Sequence, residues 1–198
     1  FDCNAQTAMY KGKALRLPKE AHPMGTLTVR DIVRKSSNKG SAQLGMIIGE
    51  KTLYDYASAF GYGKKTDIGL IGEIAGTLHK VSEWDGLTIT RLPMGHAVAA
   101  TPLQVHCAMG VIANQGIYMQ PQLIRRIYDK NGDTKIEYQS KAMRRVISPK
   151  ISTLMAEMLS EVVTNTGTAR RAQIEGFKIA GKTGTSQKII NGKYSTRE

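Results

Sequence analysis

Gly176-Phe177-Lys178-Ile179-Ala180-Gly181-Lys182-Thr183-Gly184-Thr185 is the stretch on which the fold reading of this 198-residue chain turns. Phe177, Ile179 and Gly181 alternate with Lys178, Ala180 and Lys182. That period of two predicts a strand over about 177–190, bent over at Asn191-Gly192. The same residues also fit GxxxxGK[ST], the spacing of a phosphate-binding loop. Such a loop needs a strand before its first glycine and a helix after its Lys-Thr, so that amides and helix dipole meet phosphate. Here the alternation falls between the two glycines and a polar run follows, so a nucleotide site is set aside. On an edge strand the residues make chemical sense. Gly184 lets a substrate backbone lie close. Lys182 supplies a fixed positive charge, and Thr183 and Thr185 offer hydroxyls to a carboxylate. The Thr185 N–H can face a developing oxyanion.

Far upstream stands Ser36-Ser37-Asn38. On an extended turn, residues 36 and 38 would send a hydroxyl and an amide to one side. The hydroxyl could shuttle a proton while the amide holds a substrate peptide. The competing reading is a helix stop with capping polar residues. Ser36 and Lys39 also have the Ser-x-x-Lys spacing of an activated nucleophile, which belongs at a helix start. Gly40 directly after Lys39 argues against such a helix, and no second Ser-x-Asn follows.

Between these motifs the chain alternates helix and turn signals. Thr28 with Asp31 resembles a capping box before Val29, Ile32 and Val33. A helix over roughly 41–48 follows, then another with Leu53, Tyr56, Ala57 and Phe60 at helical spacing. Residues 64–100 are glycine-rich and show no clear period. Thr101-Pro102 starts a helix that runs towards Gly116. Asn131-Gly132 joins two strand-like runs into a hairpin over about 122–139, and Ser148-Pro149 opens a helix over about 149–163. The helical part with the Ser-x-Asn tripeptide thus occupies about 25–116, within one partial domain over 1–198.

Lys and Arg outnumber Asp and Glu by 28 to 16, a formal net charge of +12. The basic residues are dispersed in pairs such as Arg125-Arg126 and Arg170-Arg171, and aromatics make up 6%. This is a solvated basic surface rather than a nucleic-acid footprint, and no nucleic-acid partner is expected. His22, His79, His96 and His106 lack metal-ligand spacing, and no CxxC or HExxH is present. Neither a metal nor a cofactor is expected. Cys107 lies at an apolar helix position and reads as a buried free thiol. Phe1-Asp2-Cys3 has no initiator Met and no signal-peptide pattern, and Glu198 comes soon after the Asn191-Gly192 turn. The expectation is a piece of a longer protein.

Together these elements resemble the transpeptidase domain of the penicillin-binding proteins, most of all the monofunctional class B kind. The resemblance rests on Ser36-Ser37-Asn38 and Ala180-Gly181-Lys182-Thr183-Gly184-Thr185. It also rests on Ala100-Thr101-Pro102-Leu103-Gln104, Gly167-Thr168-Ala169 and Phe1-Asp2-Cys3. It implies an α/β (α+β) fold, with a mostly helical subdomain, a small hairpin and an edge strand carrying Lys182. It implies peptidoglycan cross-linking through a serine acyl-enzyme, with β-lactams imitating the D-Ala-D-Ala end. By resemblance Ser36 relays a proton, Lys182 supports that hydroxyl and Asn38 orients the peptide amide. Thr183 and Thr185 hold the terminal carboxylate at Gly184, and the Thr185 N–H completes the oxyanion hole. The family's Ser-x-x-Lys nucleophile would precede residue 1, so this chain alone is expected to be inactive and to take no β-lactam covalently. Sheet strands and an N-terminal membrane anchor would come from other parts of the protein, at the outer face of a bacterial inner membrane. The alternatives are a serine β-lactamase or D,D-carboxypeptidase, and a non-catalytic penicillin-sensing or scaffold domain.

Overall fold

Positive φ at Lys11 and Gly12 (49° and 77°) reverses the chain between its first two strands, β1 (Thr7–Tyr10) and β2 (Lys13–Arg16). Two consecutive left-handed residues give the turn whose twist matches that of paired strands. The computed structural model describes residues 1–184 and the backbone of 189–190 and 193–194. After the hairpin comes α1 (Val29–Lys35), opened by the expected reciprocal cap between Thr28 and Asp31.

The next helix departs from expectation. α2 spans Asn38–Ile48, so it begins at the tripeptide itself, and Gly40 lies inside it. Close packing explains the glycine. A Cβ at Gly40 would stand 2.5 Å from Ile32 Cγ1, and Ile32 is buried in the α1 face. Gly49, at φ 85°, then separates α2 from α3 (Glu50–Ala59).

Residues 64–100, without period in the sequence, are organised by long-range contacts. The short β3 (Thr77–Leu78) pairs with β4 (Val98–Ala99), and α4 (Thr88–Arg91) lies between them. Helix α5 (Pro102–Ala113) is capped by Thr101 and Gln104. The fully buried Gln104 amide donates to the carbonyls of Lys64 and Ala75, both at 2.7 Å. One side chain therefore satisfies backbone groups that have no ladder of their own.

Gly116 (φ 84°) turns the chain from α5 into β5 (Ile117–Met119). The expected hairpin forms from β6 (Arg126–Tyr128) and β7 (Thr134–Glu137), and β8 (Ala142–Arg145) returns to pair with β5. Helix α6 (Pro149–Val162) starts at the Ser148 cap. Finally β9 (Ile189–Ile190) pairs with β10 (Lys193–Tyr194).

Of the strand expected over about 177–190, the described residues show strand at Ile189–Ile190. Residues 177–184 form no ladder among the described residues. Alternation supplies one face to bury, but a strand also needs a neighbour for its N–H and C=O groups. Here the Gly181 N–H instead donates to the Leu159 carbonyl at 3.2 Å.

Among the described residues, three small clusters form the core. Leu17, Ala42, Met46 and Ile89 join the hairpin to α2 and α4. Cys3, Leu27 and Ile32 lie under the chain start, and Cys107, Val111 and Tyr118 join α5 to β5. Cys3 and Cys107 are both buried free thiols.

Candidate active site

The site begins where α1 ends. The Ser37 N–H donates to the Ile32 carbonyl at 3.0 Å, and Ser36 takes the left-handed conformation (φ 57°, ψ 46°). The tripeptide is therefore not the extended turn expected from its sequence. Ser36 is the left-handed stop of α1, Ser37 caps α2, and Asn38 is the first residue of α2. A left-handed residue is a common way to close a helix's last carbonyls, and here serine occupies the place usually given to glycine.

Ser37 faces inward and is fully buried. Its hydroxyl accepts from the Gly40 N–H at 3.0 Å and donates to a Glu20 carboxylate oxygen at 2.6 Å. Glu20 also accepts from the Asn38 and Lys39 N–H groups, at 3.2 and 2.8 Å. The Asn38 side-chain amide donates to the Lys19 carbonyl at 3.1 Å. Lys39, the other half of the Ser-x-x-Lys spacing, is buried, and its ammonium donates to the Asn4 carbonyl at 3.2 Å.

Lys182 approaches from the other end of the chain. Helix α6 stops at Val162, whose carbonyl accepts from the Ala169 N–H at 2.9 Å. Gly167 permits that wrap, since a Cβ there would come within 2.2 Å of the Val162 carbonyl oxygen. The returning chain then passes along α6 through Gly181. From there the Lys182 ammonium donates to Ser36 Oγ at 2.7 Å, across a sequence separation of 146. It also donates to Thr183 O at 3.1 Å and Thr183 Oγ1 at 3.3 Å. Partial burial of this ammonium pushes its pKa below the usual lysine value.

Thr183 Oγ1 lies 2.9 Å from Thr168 Oγ1, so these two hydroxyls share a hydrogen bond. A Cβ built on Gly184 meets no atom within 4 Å, which leaves the ground before that backbone open. A cleft alongside is lined by His22, Lys35, Thr166, Gly167 and Thr168. Thr185 lies outside the described residues.

The fold thus brings Ser36 and Lys182 into direct contact, with Thr183 beside them and Asn38 on the same turn as Ser36. A cation that donates to a hydroxyl stabilises negative charge on that oxygen and leaves its own proton available to a neighbour. Two contributors escape a reading of the sequence. Thr168 is visible only as part of Gly167-Thr168-Ala169. Glu20 sits in Pro18-Lys19-Glu20, where no spacing or period marks it.

The geometry thus joins the Ser-x-Asn turn of a helical subdomain to the lysine of a Lys-Thr-Gly segment. The chain belongs to the penicillin-binding protein transpeptidase domain family, whose sequence profile matches residues 4–198. Penicillin-binding protein PbpB of Mycolicibacterium smegmatis is 33% identical over 196 residues, covering 89% of this chain and 30% of its own. Stage V sporulation protein D of Bacillus subtilis is 34% identical over 171 residues, 86% of this chain and 26% of its own. Peptidoglycan D,D-transpeptidase FtsI of Escherichia coli is 31% identical over 169 residues, 85% of this chain and 27% of its own. The chain therefore spans between a quarter and a third of these relatives. Among solved structures, penicillin binding protein 3 of Mycobacterium tuberculosis complexed with aztreonam superposes with a TM-score of 0.82 at 30% identity. That match covers 96% of this chain and 44% of the other.

Proposed function

We propose that this chain is part of a peptidoglycan D,D-transpeptidase that cross-links stem peptides through a serine acyl-enzyme. The observation that carries the reading is the 2.7 Å hydrogen bond from Lys182 Nζ to Ser36 Oγ. The acylated serine is assigned to parts of the protein other than these 198 residues. Its oxygen attacks the penultimate D-Ala carbonyl and the C–N bond breaks. The departing D-Ala amine takes a proton relayed by the Ser36 hydroxyl. An amine of a neighbouring stem peptide then attacks the ester, forms the new amide and returns the serine.

In this scheme Lys182 holds Ser36 in its role electrostatically, and the free N–H of the Asn38 amide orients the donor peptide. Thr183 and Thr185 bind the terminal carboxylate near Gly184, and the Thr185 N–H serves the oxyanion. β-Lactams would acylate the same serine. The 198-residue chain alone is proposed to be inactive, with the remaining sheet strands supplied by the rest of the protein. The protein would act in the bacterial cell envelope, at the outer face of the inner membrane. Among the described residues no helix is long and apolar enough to cross a membrane.

The test uses the complete gene product with a D-Ala-D-Ala-terminated stem pentapeptide and an acceptor amine. The expected result is D-Ala release matched by new amide, with both falling at least about 100-fold in Lys182→Ala. D-Ala release without amide formation would replace the reading by a carboxypeptidase. A folded protein that releases no D-Ala would point to a sensing or scaffold domain.

A further inference from the structure

Glu20 enters the Ser36-Ser37-Asn38 turn from a segment belonging to none of the helices it touches. One carboxylate oxygen accepts from Ser37 Oγ (2.6 Å) and from the Lys39 N–H (2.8 Å), and the other accepts from the Asn38 N–H (3.2 Å). The neighbouring Lys19 carbonyl accepts from the Asn38 side chain. We propose that Glu20 is the positioning residue of the acyl-transfer site, holding the turn so that Ser36 meets Lys182 and Asn38 faces substrate. This inference rests on the transpeptidase reading above.

The amides at the start of α2 define what Glu20 supplies. A helix leaves its first amides without intrahelical partners. Ser37 Oγ takes the Gly40 N–H, and the Ser37 carbonyl takes the Ser41 N–H. The Asn38 and Lys39 N–H groups remain, and Glu20 takes both. Its negative charge also lies at the positive end of the α2 dipole.

The turn needs that support because Ser36 is a non-glycine residue at φ 57°, a region L-residues leave readily unless their surroundings hold them. With Ser37 tied inward to Glu20 and Asn38 tied to Lys19, the two residues that follow Ser36 are fixed. Its hydroxyl can then stand in one place, 2.7 Å from the Lys182 ammonium. Glu20 acts entirely through this turn and makes no contact with Lys182 or Thr183.

The experiment compares Glu20→Gln, Glu20→Asp and the control Glu137→Gln in the complete protein, with ampicillin as probe. Glutamine keeps one acceptor oxygen but turns an NH2 group towards an N–H it should receive. We expect second-order acylation to fall about ten- to a hundredfold in Glu20→Gln, as a misplaced reacting group demands. Glu20→Asp should recover part of the rate, and Glu137→Gln should match the wild type. Amide hydrogen exchange of Asn38 and Lys39 should quicken at least about tenfold in Glu20→Gln, with α5 unchanged. Wild-type acylation by Glu20→Gln, or faster exchange spread evenly over the protein, would overturn the proposal. If the wild type itself takes no ampicillin, the transpeptidase reading fails. The exchange of Asn38 and Lys39 then decides alone whether Glu20 holds the turn.

Discussion

Lys182 and Ser36 are separated by 146 positions, and their contact is what turns two short motifs into one site. In the role proposed for it Lys182 acts as an ammonium, because only that form offers Ser36 both a proton donor and a positive charge. Burial lowers its pKa from the ordinary 10.5. Deprotonation therefore removes the working form as pH rises, and does so earlier than for a free lysine. β-Lactam acylation of the complete protein should lose rate along an alkaline limb whose midpoint lies below pH 10.5. A midpoint at or above that value would contradict the role given to Lys182. At this scale the sequence reveals the residue types and little of their geometry. Ser36 and Lys182 are legible because their tripeptides are short, polar and set against periodic neighbours. The left-handed backbone of Ser36 is not, since nothing in Ser-Ser-Asn signals it without the helix that ends there. Glu20 is invisible because its partners are backbone amides, which every sequence has.

At the scale of elements, capping explains most of what could be foreseen. Thr28, Thr101 and Ser148 each accept from an N–H three residues on. Thr101→Ala removes the hydroxyl that accepts from the Gln104 N–H at 3.1 Å. It should cost about 1 kcal/mol of stability, read by chemical denaturation of the protein. Gly40 separates two effects of opposite sign. Alanine is favoured over glycine inside a helix by about 1 kcal/mol, yet its Cβ would stand 2.5 Å from buried Ile32 Cγ1. Overpacking of that kind costs about 1–3 kcal/mol, so Gly40→Ala should be destabilising overall in the same measurement. An increase in stability would show that α1 can yield, and that the α1–α2 contact does not dictate the turn. Two elements escape the sequence for physical reasons. Residues 64–100 owe their order to single polar side chains such as Gln104 and Glu73, which leave no period to read. Residues 177–184 have the alternation of a strand, but pairing depends on a partner that the alternation does not specify.

For the whole molecule, the important junction lies between the first and last helices. Arg30 on α1 forms an ion pair with Glu161 on α6, and Leu159 and Val162 are buried on α6. The same stretch of α6 receives the Gly181 N–H, so the packing of α1 on α6 sets the distance between Ser36 and Lys182. The exposed ion pair contributes little to stability, and the buried apolar contacts contribute most. Leu159→Ala should therefore cost about 2–5 kcal/mol, measured by denaturant unfolding, and should slow acylation in whatever fraction remains folded. Full stability in this variant would mean that α6 does not hold the site together.

The Ser36–Lys182 contact is proposed to belong to a serine acyl-transfer site. Its most direct test is the intact mass of the complete gene product after incubation with ampicillin, wild type beside Lys182→Ala. One ampicillin should be added per wild-type chain, and the adduct should form at least about 100-fold more slowly in the variant. No adduct on folded wild-type protein, or equal rates in the two proteins, would contradict it.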